Sequence, residues 1–231
     1  MHIHGLQKLA MVDYPGKLAA TVFTGGCNLR CPFCRNALLV TRLAETPEIP
    51  EQEVLDFLAS RRGLLDGVVL TGGEPLLQPD AADFLRKVRE LGFAVKLDTN
   101  GCDPARLAEI LNQGLVDYVA MDVKNAPARY AETVGIPGFN PAPVEESIRL
   151  LRKSTVDYEF RTTLVRELHR PEDLDAIAAW LAGAPRYYLQ NFVDSGNLIG
   201  RGYHGFTAEQ LQGFAERVRP FFGAVELRGI D

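Results

Sequence analysis

Short β-rich apolar runs alternate with amphipathic helical stretches about six times along the chain, and that alternation restricts the fold more than any other feature. The runs cover residues 18–23, 67–70, 94–97, 116–121, 156–165 and 186–192. Each is short and rich in β-branched or aromatic residues, the composition of a buried strand. Residues 51–62, 80–91, 104–114, 143–154 and 171–183 between them carry apolar side chains at helical spacing. A last helix spans 207–222 and precedes a strand-like AVELRG. Several helical stretches begin with Pro followed by acids and end near Gly, as helix termini prefer. Strands joined by crossover helices lie parallel. A closed eight-fold barrel takes about 250 residues. Six units in 231 residues therefore predict an α/β chain folded as an open, partial (β/α)6 barrel with parallel strands. No Ser/Gly-rich linker, charge block or internal repeat interrupts it, so residues 1–231 read as one domain.

Charge narrows the partners. Lys and Arg number 25 against 30 Asp and Glu, a net charge of −5, and no basic run stands out. Nucleic-acid binding is not expected, because phosphate neutralisation needs clustered Lys and Arg. Apolar stretches such as Leu18–Phe23 are too short to cross a bilayer. The opening MHIHGLQKLA has no basic region followed by an apolar run, so no signal peptide is read there. The expectation is a cytoplasmic protein without a membrane partner.

In parallel α/β architectures the loops at the C-terminal strand ends carry the chemistry. Four polar motifs fall there: GGCNLRCPFC, TGGEP, DTNG and MDVK, after the first four runs in turn. The first holds Cys27, Cys31 and Cys34, while Cys102 lies far away. Disulfide pairing within the triad would leave an odd thiol and does not suit a reducing cytosol. Three thiolates at this spacing can wrap a cubic iron–sulfur cluster. A [4Fe–4S] cluster normally takes four cysteines, so three leave one iron open to a substrate or cofactor. Structural zinc would want a fourth ligand nearby, and His2, His4, His169, His204 and Cys102 are all distant in sequence. A zinc loop with a remote fourth ligand, serving as a non-catalytic interaction module, is the alternative.

CNLRCPFC resembles the CxxxCxxC signature of the radical S-adenosylmethionine superfamily, with Phe33 at the aromatic position that lies against the adenine in that family. The resemblance runs through nearly the whole chain, because the other rim motifs follow in the family's order. It implies a partial (β/α)6 barrel, a [4Fe–4S] cluster on Cys27, Cys31 and Cys34, and S-adenosylmethionine chelating the unique iron. Reductive cleavage would give methionine and a 5′-deoxyadenosyl radical. The segment MVDYPGKLAATVFTGGCNLRCPFCRN is similar to the front end of glycyl-radical-enzyme activases, where Asp13, Pro15, Gly16 and Asn36 fit the pattern. Tyr14 departs from the Gly common in pyruvate formate-lyase activases. Lys17 is the nearest basic residue where those have a slightly later Arg. The YPGK form looks more like anaerobic ribonucleoside-triphosphate reductase activating proteins. The implied partners are a glycyl radical enzyme and an electron donor such as flavodoxin or ferredoxin.

The resemblance also assigns the remaining motifs. Gly72, Gly73 and Glu74 match the motif that holds the cofactor's amino group, although Gly-Gly-Glu-Pro is by itself a plain strand-to-helix turn. Asp98, Thr99, Asp122 and Lys124 match a cofactor neighbourhood. In pyruvate formate-lyase activases the two Asp, the Thr and a backbone carbonyl, here at Ala120, surround a monovalent cation, for which hard oxygen ligands are suited. Asn191 ends the sixth run, where those activases have a His touching the cofactor. Arg161 at a strand end is either solvated or paired with a rim carboxylate. Cys102 reads as a turn thiol, His2 and His4 as surface residues of an edge strand, and Trp180 as core. Two further functions stay open: a pyruvate formate-lyase-type activase, and a small-molecule enzyme such as 7-carboxy-7-deazaguanine synthase.

Overall fold

The computed structural model describes residues 1–230. Eight strands form one sheet in sequence order: β1 (Ile3–Ala10), β2 (Ala19–Thr24), β3 (Gly67–Gly72), β4 (Ala94–Thr99), β5 (Tyr118–Asp122), β6 (Asp157–Leu164), β7 (Arg186–Asn191) and β8 (Ala224–Arg228). β1 runs antiparallel to β2, as a short connection requires, and every later neighbour is parallel. The parallel set is thus one strand longer than the six expected units, because the strand-like AVELRG docks on β7. β1 and β8 are the two edges of the sheet, so the barrel stays open.

The helices are α1 (Ala37–Thr41), α2 (Glu51–Ala59), α3 (Ala81–Glu90), α4 (Pro104–Asn112), α5 (Tyr130–Val134), α6 (Ala142–Lys153), α7 (Pro171–Leu181) and α8 (Ala208–Val218). The six amphipathic stretches each form one of them. α1 and α5 have five residues apiece and are too short to display a helical period. Local chemistry sets the ends of the longer ones. Asp103 accepts from the Arg106 N–H at 3.0 Å and Pro104 opens α4. Thr207 and Gln210 cap each other at the start of α8. No helix is long and apolar enough to cross a membrane.

The two faces of the sheet differ in chemistry, because side chains alternate along a strand. Val22, Leu70, Leu97, Val119, Phe160 and Leu189 point outward and are fully buried beneath the helices. Each such side chain contributes about 1.5–3 kcal/mol of burial. Positions of the other parity point inward, and several of them are polar: Thr21, Lys96, Asp98, Asp122, Glu159 and Arg161. A cavity of about 710 Å³ is lined by residues from Gln7 on β1 through Arg228 on β8. Only a sheet curled around that space brings its first and last strands to one wall. Toward the N-terminal strand ends a small apolar cluster of Tyr14, Ala19, Val69, Tyr118 and Ala120 packs together, the two tyrosine rings 6.0 Å apart. Tyr14, the departure noted in the YPGK segment, therefore packs against the inner strands.

Candidate active site

The loop from β2 to α1 carries Cys27, Cys31 and Cys34, and all three line the cavity. Three neighbours hold the loop. The Glu74 N–H donates to the Gly26 carbonyl at 2.8 Å, the Arg30 N–H to the Val134 carbonyl of α5 at 2.9 Å, and the Gly200 N–H to the Pro32 carbonyl at 2.7 Å. A further donor, the Leu29 N–H, reaches Cys27 Sγ at 3.4 Å. Burial pushes the Cys27 thiol up to about 11, against that bond, and the Cys31 thiol up to about 12. The free Cys27 and Cys31 thiols stay protonated at neutral pH, and a bound metal must displace those protons. Among the described residues no group of three His, Cys, Asp or Glu side chains closes on one ion-sized point. A cubic cluster attaches each thiolate to a different iron.

The Gly-Gly-Glu segment packs directly on this loop. A Cβ at Gly73 would lie 1.9 Å from the Gly26 carbonyl oxygen, and one at Gly72 would lie 2.2 Å from the Thr24 nitrogen. Gly72 also has φ +125°, a backbone region closed to other residues. The glycines are thus required first by contact between the two loops. Asn36 fastens the same corner by donating its amide to the Gly72 carbonyl at 3.1 Å. Glu74 is buried, and its Oε1 accepts from the Leu76 N–H at 3.1 Å and the Thr99 hydroxyl at 2.7 Å. Its Oε2 accepts from the Asn100 N–H at 2.7 Å, which leaves that oxygen one further acceptor position, and the residue lines the cavity. Burial raises the Glu74 carboxyl and outweighs these three donors, placing it at about 7.

Across the cavity the strand ends β4, β5 and β6 carry a chain of ion pairs. Lys96 pairs with Asp98 Oδ1. Arg161 Nη1 reaches Asp98 Oδ2 at 3.1 Å, and its Nε reaches Asp122 Oδ1 at 2.8 Å. Lys124 Nζ takes the last oxygen, Asp122 Oδ2, at 2.9 Å. Burial alone would raise both carboxyls; Arg161 outweighs it, with Lys96 at Asp98 and Lys124 at Asp122, and both stay below the carboxylate range. Burial opposes the charge on Lys124, and Asp122 reverses that, so the ammonium stays protonated.

The structure brings Cys27, Cys31, Cys34, Phe33, Gly72, Gly73, Glu74, Asp98, Thr99, Asp122 and Lys124 to one cavity. It does not bring Asn191 there. Asn191 sits on the opposite face of β7, donating to the Phe206 carbonyl at 3.0 Å and accepting from the Phe206 N–H at 2.9 Å. Its neighbour Gln190 lines the cavity instead, since one step along a strand changes the face. Thr99 reaches the site through Glu74. Cys102 lies outside the cavity wall, its N–H donating to Asn100 Oδ1 at 2.9 Å. Lys96 and Asn100 are residues the sequence reading passed over, Lys96 because it sat inside a run read as a buried strand. A lysine at an inward position of such a strand was the available signal. His169 was set aside as remote, yet its Nδ1 accepts from the Val165 N–H at 3.1 Å and its Nε2 lies 2.8 Å from the Lys124 carbonyl. It anchors the turn that presents Lys124.

Fold and site together define a radical S-adenosylmethionine enzyme. The superfamily's model matches residues 21–181, from β2 through α7, and the chain belongs to that family. S-adenosylmethionine and a [4Fe–4S] cluster are the cofactors that membership implies. A Methanocaldococcus jannaschii protein provisionally named as a glycyl-radical enzyme activating enzyme is 36% identical over 197 residues, covering 82% of this chain and 79% of the relative. The pyruvate formate-lyase-activating enzyme of Clostridium pasteurianum is 34% identical over 128 residues, 53% of this chain and 52% of its own. A 7-carboxy-7-deazaguanine synthase from Methanopyrus kandleri is 37% identical over 130 residues, 48% of this chain and 51% of its own. Among solved structures, Streptococcus suis SuiB bound to S-adenosylmethionine superposes with a TM-score of 0.70 at 16% identity, over 88% of this chain and 48% of that one. That likeness concerns the fold.

Proposed function

We propose that this enzyme is an activase that generates a glycyl radical on a partner protein, with anaerobic ribonucleoside-triphosphate reductase as the partner and flavodoxin or ferredoxin as the electron donor. The observation that carries the reading is the match to a named activating enzyme along 82% of the chain. The donor set fits the implied group: three thiols on one loop line the cavity. Bound there, cluster and S-adenosylmethionine supply a 5′-deoxyadenosyl radical.

The chain's own residues do the rest. Cys27, Cys31 and Cys34 hold the cluster on a loop fixed by hydrogen bonds to three neighbouring segments. Glu74 would accept the cofactor ammonium. Thr99 and the Asn100 N–H hold that carboxylate in place. Phe33, buried and on the cavity wall, would lie against the adenine, as the resemblance implies. Asp98, Asp122 and Lys124 form the polar wall opposite. A partner's glycine loop enters through the gap between the unpaired edges β1 and β8, beside Asp13, and excludes water from the radical.

The reading is tested by mixing the reduced, reconstituted enzyme and S-adenosylmethionine with candidate glycyl radical enzymes and recording electron paramagnetic resonance. A glycyl doublet on anaerobic ribonucleoside-triphosphate reductase is expected. A doublet on pyruvate formate-lyase alone reassigns the partner, a result that the 34% identity to its activating enzyme would favour. Transfer to a small metabolite with no protein radical overturns the activase reading.

A further inference from the structure

The resemblance carries an alkali cation between Asp98 and Asp122, and the side chains around that position argue otherwise. All four carboxylate oxygens of the two aspartates already have cationic partners. Lys96 takes Asp98 Oδ1, Arg161 takes one oxygen of each, and Lys124 takes Asp122 Oδ2. Thr99, the third expected ligand, donates its hydroxyl to Glu74 at 2.7 Å and accepts from the Gly101 N–H at 3.1 Å. Ala120 sits mid-strand, in register with Asp98 on one side and Glu159 on the other.

Charge gives the same answer. Lys96, Arg161 and Lys124 bring three cations to the two aspartates, with the Glu159 carboxylate also acting on Arg161. An added alkali ion would lie among these cations in a largely desolvated corner, where Arg161 is only 11% exposed. Repulsion between like charges is strong in such surroundings. A hard cation also wants several oxygen ligands at once, and each of these oxygens already faces a Lys or Arg nitrogen, so an ion bound there would sit beside those cations. We propose that Arg161 is the permanent cation of this corner: its guanidinium joins Asp98 to Asp122, and the site takes no alkali ion.

Register explains why an arginine can do this. Arg161 stands opposite Asp122 in the β5–β6 ladder, on the inner face, so its planar fork spans from its neighbour to the next strand but one. The guanidinium ties three strand ends together, and with Lys96 and Lys124 it offsets the two carboxylates at the cavity wall.

The test measures binding alone, so it stands or falls whichever substrate takes the radical. S-adenosylmethionine affinity of the reconstituted enzyme is measured in potassium, sodium and tetramethylammonium chloride at equal ionic strength. The wild type should bind equally in all three, within about twofold. Arg161→Gln should bind about tenfold or more weakly in tetramethylammonium and regain affinity in potassium, since the opened site then accepts an ion. Arg161→Lys, with circular dichroism and iron content confirming both variants, should stay insensitive to the salt. A second readout is thallium-205 resonance in the cofactor-free enzyme, where thallium(I) should show no bound state in the wild type. Wild-type affinity about tenfold lower in tetramethylammonium than in potassium, a bound thallium signal, or no potassium rescue of folded Arg161→Gln would each overturn the proposal.

Discussion

At the scale of single residues, Glu74 and the cysteines bear the cofactors. Glu74→Gln keeps the shape of the buried group and removes its charge. A charge-assisted hydrogen bond is worth about 1.5–3 kcal/mol, so S-adenosylmethionine should bind at least about tenfold more weakly. Iron content should be unchanged, because Glu74 touches the cysteine loop through its backbone N–H. Unchanged affinity with the cluster intact would remove Glu74 from the cofactor site. Cys27→Ala, Cys31→Ala and Cys34→Ala should each lose the cluster and all cofactor cleavage. Cys102→Ala should retain about four irons per chain after reconstitution. Loss of iron from Cys102→Ala would reopen the ligand assignment.

At the scale of elements, the site depends on loops that brace one another. Gly73→Ala places a methyl against the Gly26 carbonyl, where no flexible side chain can yield. The two loops must separate, so lower thermal stability and incomplete cluster loading are expected together; full loading at an unchanged Tm would contradict the packing. His169 braces the turn of Lys124 as a buried neutral imidazole. Burial lowers its pKa below the ordinary 6.5 and outweighs its bonds to the Lys124 and Val165 backbone. The unfolded state then binds the extra proton first, so the imidazole's contribution is intact above pH 6.5 and fades as pH falls below it. Urea unfolding at pH 7.5 and 5.5 should show a smaller pH-dependent loss in His169→Gln than in the wild type; an equal loss would assign the acid sensitivity elsewhere. These supports were hard to read from sequence. The apolar alternation gave away the strands and long helices, and the rim motifs fell at strand ends, because both are local patterns. The α5 anchor of the cysteine loop is too short for a period. The Lys124–His169 contact joins residues that only the fold brings together. Asn191 and Gln190 differ by one position, and end-of-strand register decides which faces the cavity.

At the scale of the whole molecule, one feature sets what the enzyme can act on. The sheet curls enough to surround a cavity of about 710 Å³ and leaves its edge strands β1 and β8 unpaired with each other. That volume lies within the range of small-molecule sites. The gap beside it is where a protein loop would have to enter. The alternation of strands and helices made the open barrel legible, and the triad at its rim made the chemistry legible. What enters the gap is a property of the assembled edges, on which no short motif reports. The most direct test follows the hydrogen atom. A glycyl radical enzyme partner is prepared with deuterium at the Cα of its glycines and turned over with reduced enzyme and S-adenosylmethionine. The account predicts deuterium in the 5′-deoxyadenosine, appearing in step with a glycyl radical signal on the partner. Deoxyadenosine that forms in the presence of every candidate partner and remains free of deuterium would contradict it.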